Sequence, residues 1–387
     1  MRDLEIAGFL RERGILGGEI SVSEIGDGNI NYIFRARNGA GESVIVKYAD
    51  ELLRSSGRPL SVERARIEAR ALAICGELAG AHVPAVFCFD EVRRLIVMED
   101  LADFENLRHG LLARKIYPTL AADLAAYLAN TLIRTSDCIL DGEYKKALVK
   151  EFINPEMCLI SEKLIFTDPF TNFYNTNIPL EENREFYDEQ LYGDIPLRLE
   201  AAKLTADFKT RAQALLHGDL HTGSVFAKPG ATKIIDPEFA FFGPIGFDAG
   251  NIIANLIFAK INAYLTMAQN PEKTAFIAYM DNTIQNLIDG FYDIGIQILE
   301  NEATDPMART PGFARWYMGG IMADIAGMAG MELIRRTIGD AKVADINGIA
   351  DIKTRARAER ICILIGKKLI LGRNLDILQE EDYGKYL

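Results

Sequence analysis

Residues 217–224 read His-Gly-Asp-Leu-His-Thr-Gly-Ser, and the run Ile234-Ile-Asp-Pro-Glu238 follows shortly after. Two of the four histidines in the chain fall inside residues 217–221. Asp219, bounded by Gly218 and Leu220, is the type of group that accepts a hydrogen bond from a substrate hydroxyl and takes its proton as the oxygen attacks phosphorus. Asp236 and Glu238 close the apolar run Lys233-Ile-Ile235, with Pro237 restricting the backbone between them. Carboxylate oxygens on a rigid strand end are the ligands that Mg²⁺ prefers. Together the three acids describe a site for phosphoryl transfer from a metal-bound nucleotide.

The two histidines read as structural. His217 is expected to hold the loop through a backbone hydrogen bond, and a second base at His221 would be redundant beside Asp219. Neither has the spacing of a zinc pair. In protein kinases an Asn five residues after the catalytic Asp supplies a second metal ligand. Here that position is Ser224, and Glu238 would supply the missing oxygen. Lys47 ends the run Val44-Ile-Val-Lys47, as does the strand lysine that pairs the α- and β-phosphates in kinases. Its expected acidic partner lies on the helix that follows, Glu68 first and Glu63 second. Gly26-Asp-Gly-Asn-Ile-Asn31 reads equally as a hairpin turn or as a flap whose backbone N–H groups approach phosphates. Val97-Met-Glu-Asp-Leu101 ends a strand, and its backbone would suit an adenine edge. Arg335-Arg336 closes an apolar helix. The pair would complement the negative end of the helix dipole or contact a phosphoryl group or sugar bidentately.

The elements that must position these residues divide into two regions. Strand-like runs cover Ile20–Glu24, Ile30–Arg37, Ser43–Tyr48, Ala85–Phe89 and Arg94–Met98, with a helix over Val62–Leu78. From about residue 105 helices dominate: Pro118–Cys138, Pro155–Leu164, Ile195–Leu216, Gly246–Met267, Pro271–Glu300, Phe313–Ile338 and Ala350–Leu371. Short strands at Val225–Lys228 and Thr232–Ile235 flank the acidic pair. The expected fold class is α+β, with a small sheet-and-helix lobe (1–101) and a larger helical lobe (102–387) enclosing a ligand cleft.

Bulk properties narrow the partners. The 387 residues carry a formal charge of −12, a poor match to a nucleic-acid backbone. Five cysteines without a Cys-x-x-Cys spacing argue against a disulfide framework or a zinc site. No signal-like or membrane-spanning apolar run is evident. The expected setting is cytoplasmic, with neither nucleic acid nor membrane as partner.

The ordered set Gly26-Asp-Gly-Asn-Ile-Asn31, Lys47, Met98-Glu-Asp-Leu101, Phe166-Thr-Asp-Pro-Phe170, His217–Ser224, Asp236-Pro-Glu-Phe-Ala-Phe241 and Glu332-Leu-Ile-Arg-Arg-Thr-Ile-Gly339 resembles the 5-methylthioribose kinase family over essentially the whole length. The Asp-x-Glu pair and the paired arginines distinguish that family from aminoglycoside- and choline-phosphorylating relatives. The resemblance implies a bilobal protein-kinase-like fold, ATP and Mg²⁺, and phosphorylation of the anomeric hydroxyl of 5-methylthioribose in methionine salvage. It implies Asp219 as base, facing the sugar, with Asp236, Pro237 and Glu238 at the metal-bound nucleotide. Asn31, Lys47, Glu99, Asp100 and Leu101 would meet ATP, and Arg335 or Arg336 would meet the sugar or the transferred charge. It also implies a homodimer. The methylthio tail needs an apolar niche, sought in the aromatics after Glu238 or the helix carrying Met328 and Met331. The competing readings are a kinase for an aminoglycoside, choline or homoserine, and a catalytically inactive kinase fold that binds a nucleotide or partner.

Overall fold

A computed structural model of the chain describes residues 3–25, 31–52 and 59–373. Five antiparallel strands, β1 (Ile20–Glu24), β2 (Tyr32–Asn38), β3 (Ser43–Tyr48), β4 (Val86–Asp90) and β5 (Leu95–Glu99), form one sheet in the order β1-β2-β3-β5-β4. Alternation along β3 decides what faces what. Val44 and Val46 join Phe34, Ala36, Leu95 and Val97 against Ile6, Phe9 and Leu10 of the opening helix Asp3–Glu12. The intervening Ile45 and Lys47 therefore face the other side, where the helix Glu63–Ala79 lies. The sheet has a helix on each face.

The Glu63–Ala79 helix also ties the sheet to the rest of the chain. Its Ile67, Ala71 and Ile74 pack with Leu148, Phe152, Leu215 and Phe242, while Ala69 and Leu72 belong to the main core. That core is built around the helix Gly246–Thr266, whose residues 246–263 are all buried. The helix Phe313–Ile338 packs along it, and Ile352–Gly372 closes over the second helix. The latter crossing is close: a Cβ on Gly330 would stand 2.5 Å from the Gly366 carbonyl oxygen, so glycine permits the approach.

Several boundaries differ from the pattern reading. The helix begun at Ile195 ends at Thr210 rather than Leu216. Ala214, Leu215 and Leu216 are all buried, which a helix presenting one apolar face could not achieve. Ala214–Leu215 instead pairs antiparallel with Phe242–Gly243. The helix Gly142–Glu151 was not anticipated, although Asp141 caps it by accepting from the Glu143 and Tyr144 N–H groups. The expected Pro118–Cys138 helix starts at Leu120 and passes through a wide turn at Ala129–Ile133. Among the described residues no helix is long and apolar enough to cross a membrane.

Candidate active site

The loop 217–224 is suspended between two short strands, Ala214–Leu215 and Val225–Lys228. The second strand pairs with Ala231–Ile234 on one edge and Glu105–Asn106 on the other. Gly218 has φ +85°, and a Cβ there would lie 2.2 Å from the Phe239 carbonyl oxygen, so the turn requires glycine. Beneath it the buried Asp248 accepts from the His217 N–H at 2.6 Å and the Gly218 N–H at 3.0 Å. Burial pushes the Asp248 carboxyl up, with His217 opposing.

His217 meets its structural expectation. Its Nδ1 faces the Asp219 N–H at 3.3 Å and its Nε2 faces the Ile235 carbonyl at 2.7 Å. The tautomer compatible with both is the neutral Nε2–H form. His221 accepts the Ser224 N–H on Nδ1 at 3.1 Å, which leaves an Nε2–H facing the Asp219 carboxylate at 3.5 Å. Burial drives His221 down to about 3, with Asp219 opposing, so the ring is uncharged at neutral pH.

The twin arginines converge on the carboxylate of the loop 217–224. Arg335 and Arg336 each donate an Nη2 proton to Asp219 Oδ1, at 3.0 and 2.9 Å. Their Nε atoms donate to the two oxygens of Glu332, one helical turn earlier, at 2.5 and 2.9 Å. A single buried acid therefore aligns two cations that would otherwise splay around the helix. Burial raises the Asp219 pKa, but the surrounding positive groups win and hold it well below the usual carboxylate range. His221 contributes most to that lowering, followed by Arg336 and Arg335. The Asp219 side chain remains 28% exposed and so faces open space.

On the sheet side, Lys47 Nζ donates to Glu68 Oε1 at 2.8 Å and to Asp236 Oδ1 at 2.5 Å. Glu68, the first choice from sequence, is the partner observed. Burial pulls the Lys47 pKa down, but Asp236, Glu68 and Glu238 outweigh it and hold the ammonium charged. Asp236 has φ +65°, a left-handed conformation that Asp tolerates, and Pro237 starts the short turn that follows. The two acids of the pair occupy different settings. Asp236 is 38% exposed at its side chain, whereas Glu238 is buried and accepts from Asn31 Nδ2 at 2.9 Å. Arg64 donates to Asn31 Oδ1 at 3.2 Å and stands 3.6 Å from Glu238. Asn31 thus connects the start of β2 to the acidic pair. Residues 26–30 of the glycine-containing run lie outside the described residues.

The side chains of Glu99 and Asp100 have ionic partners. Glu99 accepts from Lys233 at 3.0 Å, and Asp100 accepts both Nε and Nη2 of Arg35. Contacts to a ligand from Glu99–Leu101 would therefore come from the backbone. Met328 and Met331 are fully buried in the core, which removes them as walls of an open methylthio niche. Phe242 likewise packs into the core beside Phe152.

The donor set also permits a test for an implied Mg²⁺. Asp236 and Glu238 offer hard oxygen ligands across a single proline, which is the right chemistry for that cation. Sequence reasoning missed Arg64, Asp248 and Glu332. Asp248 left a readable signal, being a lone acid in the apolar run Gly246-Phe-Asp-Ala-Gly-Asn-Ile-Ile253.

A lysine held by a helix glutamate, a loop aspartate and a strand-end acidic pair beneath a five-stranded sheet define a phosphotransferase of protein-kinase-like architecture. In agreement, the phosphotransferase enzyme family (APH) matches residues 21–271. The methylthioribose kinase of Geobacillus sp. (strain WCH70) is 41% identical over 360 residues, spanning 92% of this chain and 87% of that protein. That of Bacillus cereus (strain AH187) is 37% identical over 375 residues, spanning 95% and 92%. The chain belongs to the methylthioribose kinase family. A choline kinase structure from Cryptosporidium parvum Iowa II shares the fold, with a TM-score of 0.52, 15% identity and coverage of 95% of this chain and 96% of that one.

Proposed function

We propose that the protein transfers the γ-phosphoryl group of ATP to the anomeric hydroxyl of 5-methylthioribose, giving ADP and 5-methylthioribose 1-phosphate for methionine salvage. The chain is a small-molecule kinase. The observation that carries the site assignment is the convergence of Arg335, Arg336 and His221 on Asp219. Residues 1–101 serve as the nucleotide lobe and 102–387 as the acceptor lobe. Lys47, held by Glu68, would meet the ATP phosphates; the backbone of Glu99–Leu101 would meet the adenine. Asn31, which donates to Glu238, would also meet ATP. Asp236 and Glu238 would hold Mg²⁺, which when bound neutralises phosphate charge.

Asp219 accepts the hydrogen bond of the attacking hydroxyl and receives its proton as the O–P bond forms and the bond to ADP breaks. Its arginine partners keep it ionised and make it a weak base. An anomeric hydroxyl is more acidic than an ordinary alcohol, and little proton abstraction is needed before the oxygen reaches phosphorus. In-line positioning and charge neutralisation supply most of the acceleration. Arg335 and Arg336 stand where they would stabilise the phosphoryl oxygens or sugar hydroxyls as well as the base. The cytoplasm and a homodimer complete the reading. A coupled assay of ADP release with ATP and 5-methylthioribose tests it, with ribose reporting on the thioether. Sustained transfer, weaker with ribose, is expected; choline turnover without methylthioribose turnover refutes the assignment.

A further inference from the structure

Arg108 lies outside every motif read from the sequence, yet its side chain joins three parts of the site. It is the second residue of the helix Leu107–Leu112, capped by Asn106, whose side chain donates to the Gly223 carbonyl at 2.7 Å and accepts the Arg108 N–H at 3.1 Å. The guanidinium Nε donates to Thr222 Oγ1 of the catalytic loop at 3.2 Å. Its Nη2 donates to Asn255 Oδ1 on the central helix at 3.0 Å. The Asn255 amide in turn donates to Glu332 Oε1 at 3.3 Å, and Glu332 aligns both arginines that reach Asp219. A continuous chain of polar contacts therefore runs from Arg108 to the catalytic carboxylate.

The third part is Asp345, which lies in the short helix Ala344–Asn347 following the twin-arginine helix. Its carboxylate is 3.6 Å from Arg108 Nε and is buried, with 2% of its side chain exposed. Neither Asp345 oxygen has a hydrogen-bond partner among the described residues. A buried carboxylate without hydrogen bonds is costly and stays ionised only beside a counter-charge. Arg108 stands beside it, with Arg114 also acting on it from further along the chain, and a planar fork is suited to span two acceptors while facing an anion.

We propose that Arg108 is a positioning residue for acceptor phosphorylation. It holds the catalytic loop and the Arg335–Arg336 pair in register through Thr222, Asn255 and Glu332, with Asp345 as its buried counter-charge. The inference rests on the role assigned above to the two arginines. A strut that served folding alone would affect stability without affecting turnover by the folded enzyme.

The test compares Arg108→Met, Arg108→Lys, Asp345→Asn, the Met/Asn double variant and Arg335→Ala by thermal melting and steady-state kinetics with ATP and 5-methylthioribose. Arg108→Met should lower kcat by about 10- to 100-fold, with KM for ATP within about 2-fold of the parent. Lysine should restore only part of the loss, because it keeps the charge without the fork. Asp345→Asn should lower kcat in the same direction, and the double variant should be no slower than Arg108→Met alone. An unchanged kcat in folded Arg108→Met, or strictly additive losses, overturns the proposal. If Arg108→Met does not fold, the nearly isosteric Asp345→Asn decides: normal turnover refutes. Loss of activity in Arg335→Ala with normal Arg108→Met overturns this inference alone. Normal Arg335→Ala overturns the twin-arginine role and this inference together, and a parent enzyme inert toward 5-methylthioribose overturns the substrate.

Discussion

Removing the Glu238 side chain should damage metal-dependent turnover and folding together, and the two effects should separate by choice of substitution. Glu238→Ala deletes the acceptor of the Asn31 Nδ2 hydrogen bond, made at 2.9 Å in a buried setting. It also strips a counter-charge 3.6 Å from Arg64, whose side chain is 1% exposed. A broken buried ion pair costs about 3–5 kcal/mol, but Arg64 also donates to the Leu60, Ser61 and Asp50 carbonyls and to Asn31. Its burden is thereby shared, which brings the expected loss to about 2–3 kcal/mol. Glu238→Gln keeps an oxygen for Asn31 and most of the shape while removing the charge, so its folding cost should be smaller. Both variants should lower Mg²⁺-dependent kcat/KM by on the order of 10²-fold at fixed free metal. Urea unfolding measures the first effect and a Mg²⁺ titration of initial rates the second. Normal Mg²⁺ dependence in Glu238→Gln removes the paired-carboxylate clamp. An alanine variant as stable as the parent removes the argument from Arg64 and Asn31.

Asp219→Asn should reduce phosphoryl transfer by on the order of 10²- to 10⁴-fold with ATP binding retained; unchanged turnover would dismiss it as base. Gly218→Ala requires a strained φ of +85° and displaces the Phe239 carbonyl. Stability should fall by about 1–3 kcal/mol in urea titration and turnover should fall with it, and normal values for both would contradict the crowding at that turn. The acid response should depend on His221, whose pKa falls from 6.5 to about 3 on folding through burial, with Asp219 opposing. The unfolded chain binds a proton below about pH 6.5 that the folded chain refuses, so stability is intact above that pH and is lost as pH falls toward 3. With 19% of the ring exposed, the loss by pH 5 is at most about 2 kcal/mol. His221→Asn should flatten that slope, and equal acid sensitivity of the two proteins in urea would refute it.

Local signals carried much of the architecture. The β1 and β3 boundaries and the Phe313–Ile338 helix coincide with the reading from period and turn residues. Lys47 was legible because it ends the run Val44-Ile-Val-Lys47 as the kinase strand lysine does, and Glu68 because it lies on the next helix. What remained hidden was long-range. Arg64, a basic residue in a helix rich in charge, reads as solvated until folding brings Asn31 and Glu238 beside it. Glu332 reads as an ordinary helical acid, and its importance lies in which face of the helix it shares with Arg335 and Arg336. Arg108 and Asp345 are separated by well over half the chain, and no local spacing relates them. The Ala214–Leu216 error has the same origin: an apolar run suits a helix end or a buried strand, and pairing with Phe242–Gly243 decides between them.

The arrangement around Asp219 also constrains how the reaction is driven. A general base works best when its pKa approaches the ambient pH, yet two arginines and a neutral imidazole N–H hold this carboxylate far below that range. An enzyme whose barrier lay in removing the acceptor proton would gain from the opposite arrangement, a desolvated acid without cations. Two guanidinium groups at one carboxylate oxygen are useful if the demanding event is the redistribution of negative charge on the phosphoryl group and the alignment of the incoming oxygen. On the proposed reaction, Asp219 would serve first as an orienting acceptor and receive the proton late, when bonding to phosphorus has made the hydroxyl acidic. Glu332, buried beneath both arginines, belongs to the same logic: it keeps their charge directed at one point, so stabilisation is already in place before the acceptor arrives.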